Sequence, residues 1–152
     1  MSERFNTEVL IVGTGISGLL AAIKLSERYS VTILSKSSLS DCSTAWAQGG
    51  IAAVIDNEDN INNHIKDTIN NGHEICNKKS VQQIIKQGKD SIELLLNYGV
   101  NFNKKGKELD QTLEGGHSHR RIIYHNDNTG EEVHSSLLRE ARKKKNIIIK
   151  ET

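Results

Sequence analysis

Apolar residues come in short blocks whose spacing changes along the chain, and the changes mark the elements. Glu8-Val9-Leu10-Ile11-Val12 is an apolar run that stops at Gly13, as a buried parallel strand does. Between Ser17 and Arg28 the apolar positions Leu19, Leu20, Ile23 and Leu25 predict a crossover helix, and Val31-Thr32-Ile33-Leu34 predicts a second buried strand. Together they predict one βαβ unit. Ser37 to Ala53 is small and Gly/Ser-rich without either period, so a long loop is expected. Ile61, Ile65, Thr68 and Ile69 predict a helix ending near Gly72. Ser80 with Gln83 reads as a capping box for a helix through Val81, Ile84, Ile85, Ile92, Leu95 and Leu96, stopped by Gly99. Val100-Asn101-Phe102 predicts a small strand and Lys104 to Leu109 a charged turn, while Leu113 to Asn128 has no period. Thr129 with Glu132 reads as a second capping box, for a helix burying Val133, Leu137, Leu138 and Ala141. Ile147-Ile148-Ile149 predicts a last buried strand. The alternation of strands and helices predicts an α/β fold.

Composition narrows the classes of function. A chain of 152 residues is long enough to bury a core. Lys plus Arg is 20 against 19 for Asp plus Glu, a balance that gives no footprint for nucleic acid or an anionic membrane. The basic run Arg139 to Lys145 suits the solvated face and last turn of a helix. Cys42 and Cys76 have no metal-type spacing and are expected to be free thiols. The N-terminal residues Met1 to Asn6 carry no apolar signal region, and no run approaches ~18 apolar residues. A soluble, cytoplasmic protein is expected.

The loop Gly13-Thr14-Gly15-Ile16-Ser17-Gly18 carries the first chemistry. Its first glycine permits a tight turn, its second lets backbone amides approach a pyrophosphate, and its third lets helix and strand pack closely. The helix N-terminus then favours the phosphate charge. The alternative is a glycine-rich turn with no ligand, but the strand before and the helix after point to a dinucleotide. Ser35 replaces the acid that usually holds a ribose at the end of the second strand, and Lys36 follows it. That replacement argues against simple NAD binding.

Gly13 to Gly18, Ser35-Lys36 and Ser43-Thr44-Ala45-Trp46-Ala47-Gln48-Gly49-Gly50-Ile51-Ala52-Ala53 resemble the flavoprotein family of succinate dehydrogenase, fumarate reductase and L-aspartate oxidase. Within it, Ser43-Thr44, Ala47 to Ala53, Glu114-Gly115-Gly116-His117-Ser118-His119-Arg120-Arg121 and Asp127-x-Thr129-Gly130 are similar to the L-aspartate oxidases. The resemblance runs along essentially the whole chain. It implies a Rossmann-like FAD-binding domain with helical insertions: a βαβ nucleotide-binding unit at 8–36, a flavin loop at 37–55, and helical and substrate-side segments at 56–152. It also implies that FAD is held by Gly13, Thr14, Gly15, Ile16, Ser17, Gly18, Lys36, Ser43, Thr44, Ala45, Trp46, Ala47, Gln48, Gly49 and Gly50. Small residues would let backbone amides lie against the flat flavin ring and tune it. Members with covalent FAD use a histidine at the position of Ser43; a serine cannot form that linkage, so noncovalent FAD is expected.

By the same resemblance, Glu114 orients the α-ammonium group of an amino-acid substrate. The physical chemistry agrees, because a dicarboxylate lacking an amine brings no cation for this carboxylate to pair. His117, His119 and His125 invite a metal reading, but no acidic or thiol partner sits at fitting spacing, and no metal is expected. These histidines and Arg120-Arg121 are read instead as supporting the site or binding anionic groups, with neither arginine preferred. His64 with Asp67 and Thr68 resembles a family helix near the flavin loop; a surface histidine is the other reading. The implied function is FAD-dependent oxidation of L-aspartate to iminoaspartate, with oxygen or fumarate as acceptor. It would be the first step of a route through quinolinate to NAD, with quinolinate synthase as metabolic partner. The family's acid/base arginine, capping domain and C-terminal helical region are absent from these residues, so a fragment that is inactive alone is expected. The alternatives are a soluble fumarate reductase or succinate dehydrogenase flavoprotein subunit, and a non-catalytic FAD-binding remnant.

Overall fold

The computed structural model describes residues 6–73 and 75–151. In chain order the elements are β1 (Val9–Val12), α1 (Ile16–Leu25), β2 (Val31–Ser35), α2 (Ser43–Trp46), β3 (Ile51–Ala52), α3 (Ile61–Asn71) and α4 (Lys78–Lys86). They continue with α5 (Gly88–Asn97), β4 (Lys104–Lys105), β5 (Glu108–Leu109), β6 (Gln111–Thr112), β7 (Ile122–Ile123), α6 (Thr129–Lys143) and β8 (Ile147–Glu151). The chain divides into two compact units, one of Met1–Gln48, Tyr98–Val100 and Gly130–Thr152, the other of Gly49–Asn97 and Asn101–Thr129.

The first unit holds the parallel sheet β1-β2-β8, with Val9 opposite Val31 and Val31 opposite Ile147. Helix α1 is the crossover between β1 and β2, and it buries Leu19, Ala22 and Ile23. Helix α6 buries Val133, Leu137 and Ala141, a single stripe at i, i+4 and i+8. The βαβ expectation therefore holds. One part of it needs correction: β1 is not a buried strand, since Val9 and Ile11 are only half-buried and Leu10 is 55% and Val12 81% exposed. Ile148 of β8 is likewise half exposed.

The second unit is built on α3, α4 and α5 with the antiparallel sheet β3-β7-β6 and the hairpin β4-β5. Its core includes Ala53, Ile85, Ile92, Leu95, Phe102, Ile122 and Ile123.

Several boundaries differ from the reading of the sequence, each for a local reason. The segment 37–53 is not all loop: it contains the single turn α2 and the short strand β3, whose partners lie far along the chain. Helix α4 begins at Lys78, because Asn77 supplies the cap by accepting from the Ser80 amide at 3.1 Å. Ser80 is thus a helical residue and not the cap. The predicted single helix breaks at Gln87, and α5 starts at Gly88. Val100 to Phe102 is not a strand; Val100 and Phe102 are buried as irregular chain. The charged turn is a two-stranded hairpin around Gly106.

Candidate functional site

In the first unit a cavity of about 780 Å³ opens at the C-terminal end of β1 and β2, where open α/β sheets bind ligands. It is lined by Gly13, Thr14 and Gly15 of the glycine loop, by Ser35 at the end of β2 and Lys36 after it, and by Ser43, Thr44, Trp46 and Ala47. Gly18 does what its position requires. A side chain there would lie 2.3 Å from the Gly13 carbonyl oxygen, so only glycine lets α1 sit this close to the turn. Gly15 caps α1 without a side chain, which keeps the helix end open to an anion. The Ile16 amide donates to Thr44 Oγ1 at 3.1 Å, tying the glycine loop to α2. Ser17, Ala45 and Gln48 do not line this cavity; Gly49 and Gly50 belong to the second unit. Trp46 is 75% exposed.

In the second unit the EGGHSHRR segment is fixed to α3. Asn71 donates through Nδ2 to the Gly116 carbonyl at 2.7 Å, and Gly116 has a positive φ of 85°. Asp67 Oδ2 accepts from the Ser118 amide at 2.9 Å and the Ser118 hydroxyl at 2.7 Å. Arg121 lies at the centre of a buried charge cluster. Its Nε and Nη2 reach the two oxygens of Asp59 at 2.6 and 3.0 Å, and its Nη1 reaches Asp67 at 2.6 Å. Nη1 also donates to His117 Nδ1 at 3.1 Å. His119 stands 3.5 Å from Asp59. A cavity of about 410 Å³ is lined by Asp67, Thr68, Asn71, Gly115, Gly116 and His117, among others.

The electrostatics follow from this packing. Burial alone would raise the Asp59 pKa, but the Arg121 hydrogen bonds, the Asn60 amide and the Arg121 charge outweigh it and hold the carboxyl below its ordinary value. Asp67 is opposed by burial in the same way and pulled far below the carboxylate range by Ser118 and Arg121. Arg121 is disfavoured by burial and raised by its two aspartates. His64 is lowered by burial first, then by the charges of Arg121 and His117. Buried at 5% exposure on α3, it is not the surface histidine of the alternative reading.

This geometry separates the two arginines. Arg121 is fully buried and committed to Asp59 and Asp67. Arg120 is exposed, with Nη1 at 3.5 Å from the Gln111 carbonyl, and is the one free to meet an anion. Glu114 is exposed. His125 is spent on the backbone, with Nδ1 donating to the Asn101 carbonyl. Asp59 and Asn71 escaped the sequence reading because their partners are distant in sequence.

Across residues 8–152 the chain matches the family described as FAD binding domain. The chain belongs to that family. Its cofactor is FAD, and its fold is the mixed α/β FAD-binding domain of the succinate dehydrogenase and fumarate reductase flavoproteins. The chain is 39% identical to an L-aspartate oxidase of Pseudomonas aeruginosa, over 97% of the chain and 29% of that protein. It is 43% identical to an L-aspartate oxidase of Acinetobacter baylyi, over 93% of the chain and 26% of that protein. Among solved structures, the Mycobacterium smegmatis Sdh1 complex superposes with a TM-score of 0.89 at 25% identity, over 99% of the chain and 28% of the other. E. coli quinol fumarate reductase gives 0.89 at 23% identity, over 97% and 26%. The chain spans less than a third of the length of these relatives. No helix among the described residues is long and apolar enough to cross a membrane.

Proposed function

We propose that the chain contributes the cofactor-binding part of an enzyme that oxidises L-aspartate to iminoaspartate. The observation that carries this reading is the identity of 39% and 43% to proteins named L-aspartate oxidase across nearly all of the chain. FAD, once bound, supplies the hydride acceptor for the substrate Cα–H. What these residues contribute is binding and orientation. Gly13, Thr14, Gly15, Lys36, Ser43, Thr44, Trp46 and Ala47 fit the cofactor because they line one cavity beside an uncapped helix end. Ile16, Ser17 and Gly18 form the first turn of α1, Ala45 lies in α2, and Gln48, Gly49 and Gly50 follow α2 in the chain. Oxygen or fumarate would take the electrons, and the product would feed a quinolinate synthase on the way to NAD in the cytoplasm.

Ser43 makes the attachment noncovalent. Acid precipitation of the full-length, FAD-loaded protein is expected to leave all the flavin in the supernatant; flavin retained in the pellet would contradict this.

Glu114 is assigned to the substrate ammonium. It stands exposed on a segment whose following residues are clamped to α3, so its backbone is set while its carboxylate is free. In the full-length enzyme, Glu114→Gln is expected to raise KM for L-aspartate by about 100-fold, the size expected when one partner of a desolvated charge pair is removed. Reduction of fumarate, which carries no amine, should change far less. Equal losses on both substrates would remove Glu114 from this role. Wild-type flavin reduced by succinate but not by aspartate would reject the aspartate reading.

A further inference from the structure

His134 is a buried titratable group that the assignments above leave unused. It lies on α6, one turn after Gly130, and is 2% exposed. Its Nε2 is 3.1 Å from the carbonyl oxygen of Thr14. Thr14 is itself 3% exposed, and its hydroxyl donates to the Leu39 carbonyl at 3.1 Å. The residue between the first two glycines of the loop is therefore held at two points, by its side chain and by its carbonyl. A carbonyl only accepts, so Nε2 must carry the proton. Burial keeps the ring neutral by outweighing the carbonyls of Thr14 and Leu39, which favour a proton on it. The N–H at Nε2 is directed at the Thr14 carbonyl.

The consequence follows from the peptide bond. A trans peptide is planar, and its N–H points opposite to its C=O. Fixing the Thr14 carbonyl on an interior side chain therefore fixes the direction of the Gly15 N–H. Gly15 lines the cavity and opens α1. Glycine's backbone freedom would otherwise let this peptide plane rotate, at a cost in preorganisation when an anion binds. We infer that His134 is a positioning residue for FAD, aiming the Gly15 amide at the pyrophosphate by holding the Thr14 carbonyl from behind.

A histidine that only fills space would behave differently, and two substitutions in the full-length protein separate the cases. His134→Gln keeps an N–H donor on a flexible side chain that can reach the Thr14 carbonyl. His134→Leu fills similar volume without a donor. His134→Leu is expected to raise the FAD Kd by about 10-fold, the equivalent of one lost hydrogen bond at 1.4 kcal/mol. His134→Gln should stay within about threefold of wild type, with the two apo-proteins melting close together. ADP-ribose, which carries the pyrophosphate without the flavin, should lose affinity in the same proportion as FAD. Unchanged FAD binding by His134→Leu overturns the proposal, and so does equal loss by both variants. A loss on FAD that ADP-ribose does not share also overturns it. Should His134→Leu fail to fold, the wild-type protein decides: nitrogen NMR of its imidazole must show the neutral ring protonated at Nε2, and a proton at Nδ1 overturns the proposal.

Discussion

Replacing Arg121 with methionine is expected to cost about 3–5 kcal/mol of stability, the penalty for leaving buried carboxylates without their counter-charge. Arg121 is fully buried and makes three short contacts to two aspartates, one of them only 2% exposed. Removing it strands both charges. Such a loss is a large share of the about 5–15 kcal/mol that holds an ordinary domain together, and urea denaturation would read it as a fall in midpoint at unchanged slope. Adding Asp59→Asn and Asp67→Asn to Arg121→Met should recover much of the loss, since neutral amides remove the stranded charge. A single variant within about 1 kcal/mol of wild type would mean that the cluster is solvated and not a buried anchor.

The same cluster sets a pH signature. Both aspartates have folded-state pKa values below their unfolded ones. Below an unfolded value of about 4 the unfolded chain takes up protons that the folded chain refuses, so stability falls as pH drops through that range. His64 and His134 act in the same direction but earlier, because burial depresses both. Each takes up a proton less readily in the fold than in the unfolded chain, so its contribution falls away as pH drops below about 6.5, the ordinary histidine value. The acid limb of the stability curve should therefore have two steps. Arg121→Met should shrink the lower one, because the aspartates then lose their counter-charge and keep only the hydrogen bonds from Ser118 and Asn60.

What the sequence made legible was local. The glycine loop could be read because turn, close amide approach and helix packing all fall within Gly13 to Gly18, and each glycine answers one steric demand. The helix over Ile61 to Asn71 could be read from its apolar spacing and stops at Gly72 as expected. The misses are competitions or long-range pairings. Asn77 and Ser80 are both good cap residues, and nothing in their order says which wins. Helix α2 is one turn long and shows no period to detect. Strand β3 owes its existence to β7, far along the chain. Arg121 lies inside the Glu114 to Arg121 string, yet nothing in that string separates its role from that of Arg120. The distinction rests on Asp59 and Asp67, which reach it only through the fold. His134 was hidden for the same reason: on an amphipathic helix it reads as one more polar position, and its partner is the backbone of Thr14.

Gly130→Ala is expected to weaken FAD binding by at least about 30-fold, a loss of roughly 2 kcal/mol in the range that overpacking imposes. Gly130 is the second residue of α6, and its amide donates to the Ala47 carbonyl at 2.9 Å. A β-carbon there would lie 1.9 Å from the Thr44 carbonyl oxygen and 2.6 Å from that of Ala47. Both are backbone atoms, so no side-chain rotation relieves the clash, and either α2 or the start of α6 must move. Thr44 also accepts the Ile16 amide, so a displaced α2 pulls on the glycine loop, and Thr44 and Ala47 both line the cavity proposed for FAD. Flavin fluorescence quenching gives the Kd directly. Ser135→Ala is the control on the same helix, since Ser135 is exposed and its loss should leave the Kd unchanged. A Kd for Gly130→Ala within about threefold of wild type would mean that α2 yields without disturbing the cavity. The loss of FAD affinity should exceed the loss of apo-protein stability, because the strain falls on the loop that FAD needs ordered and not on the sheet beneath it.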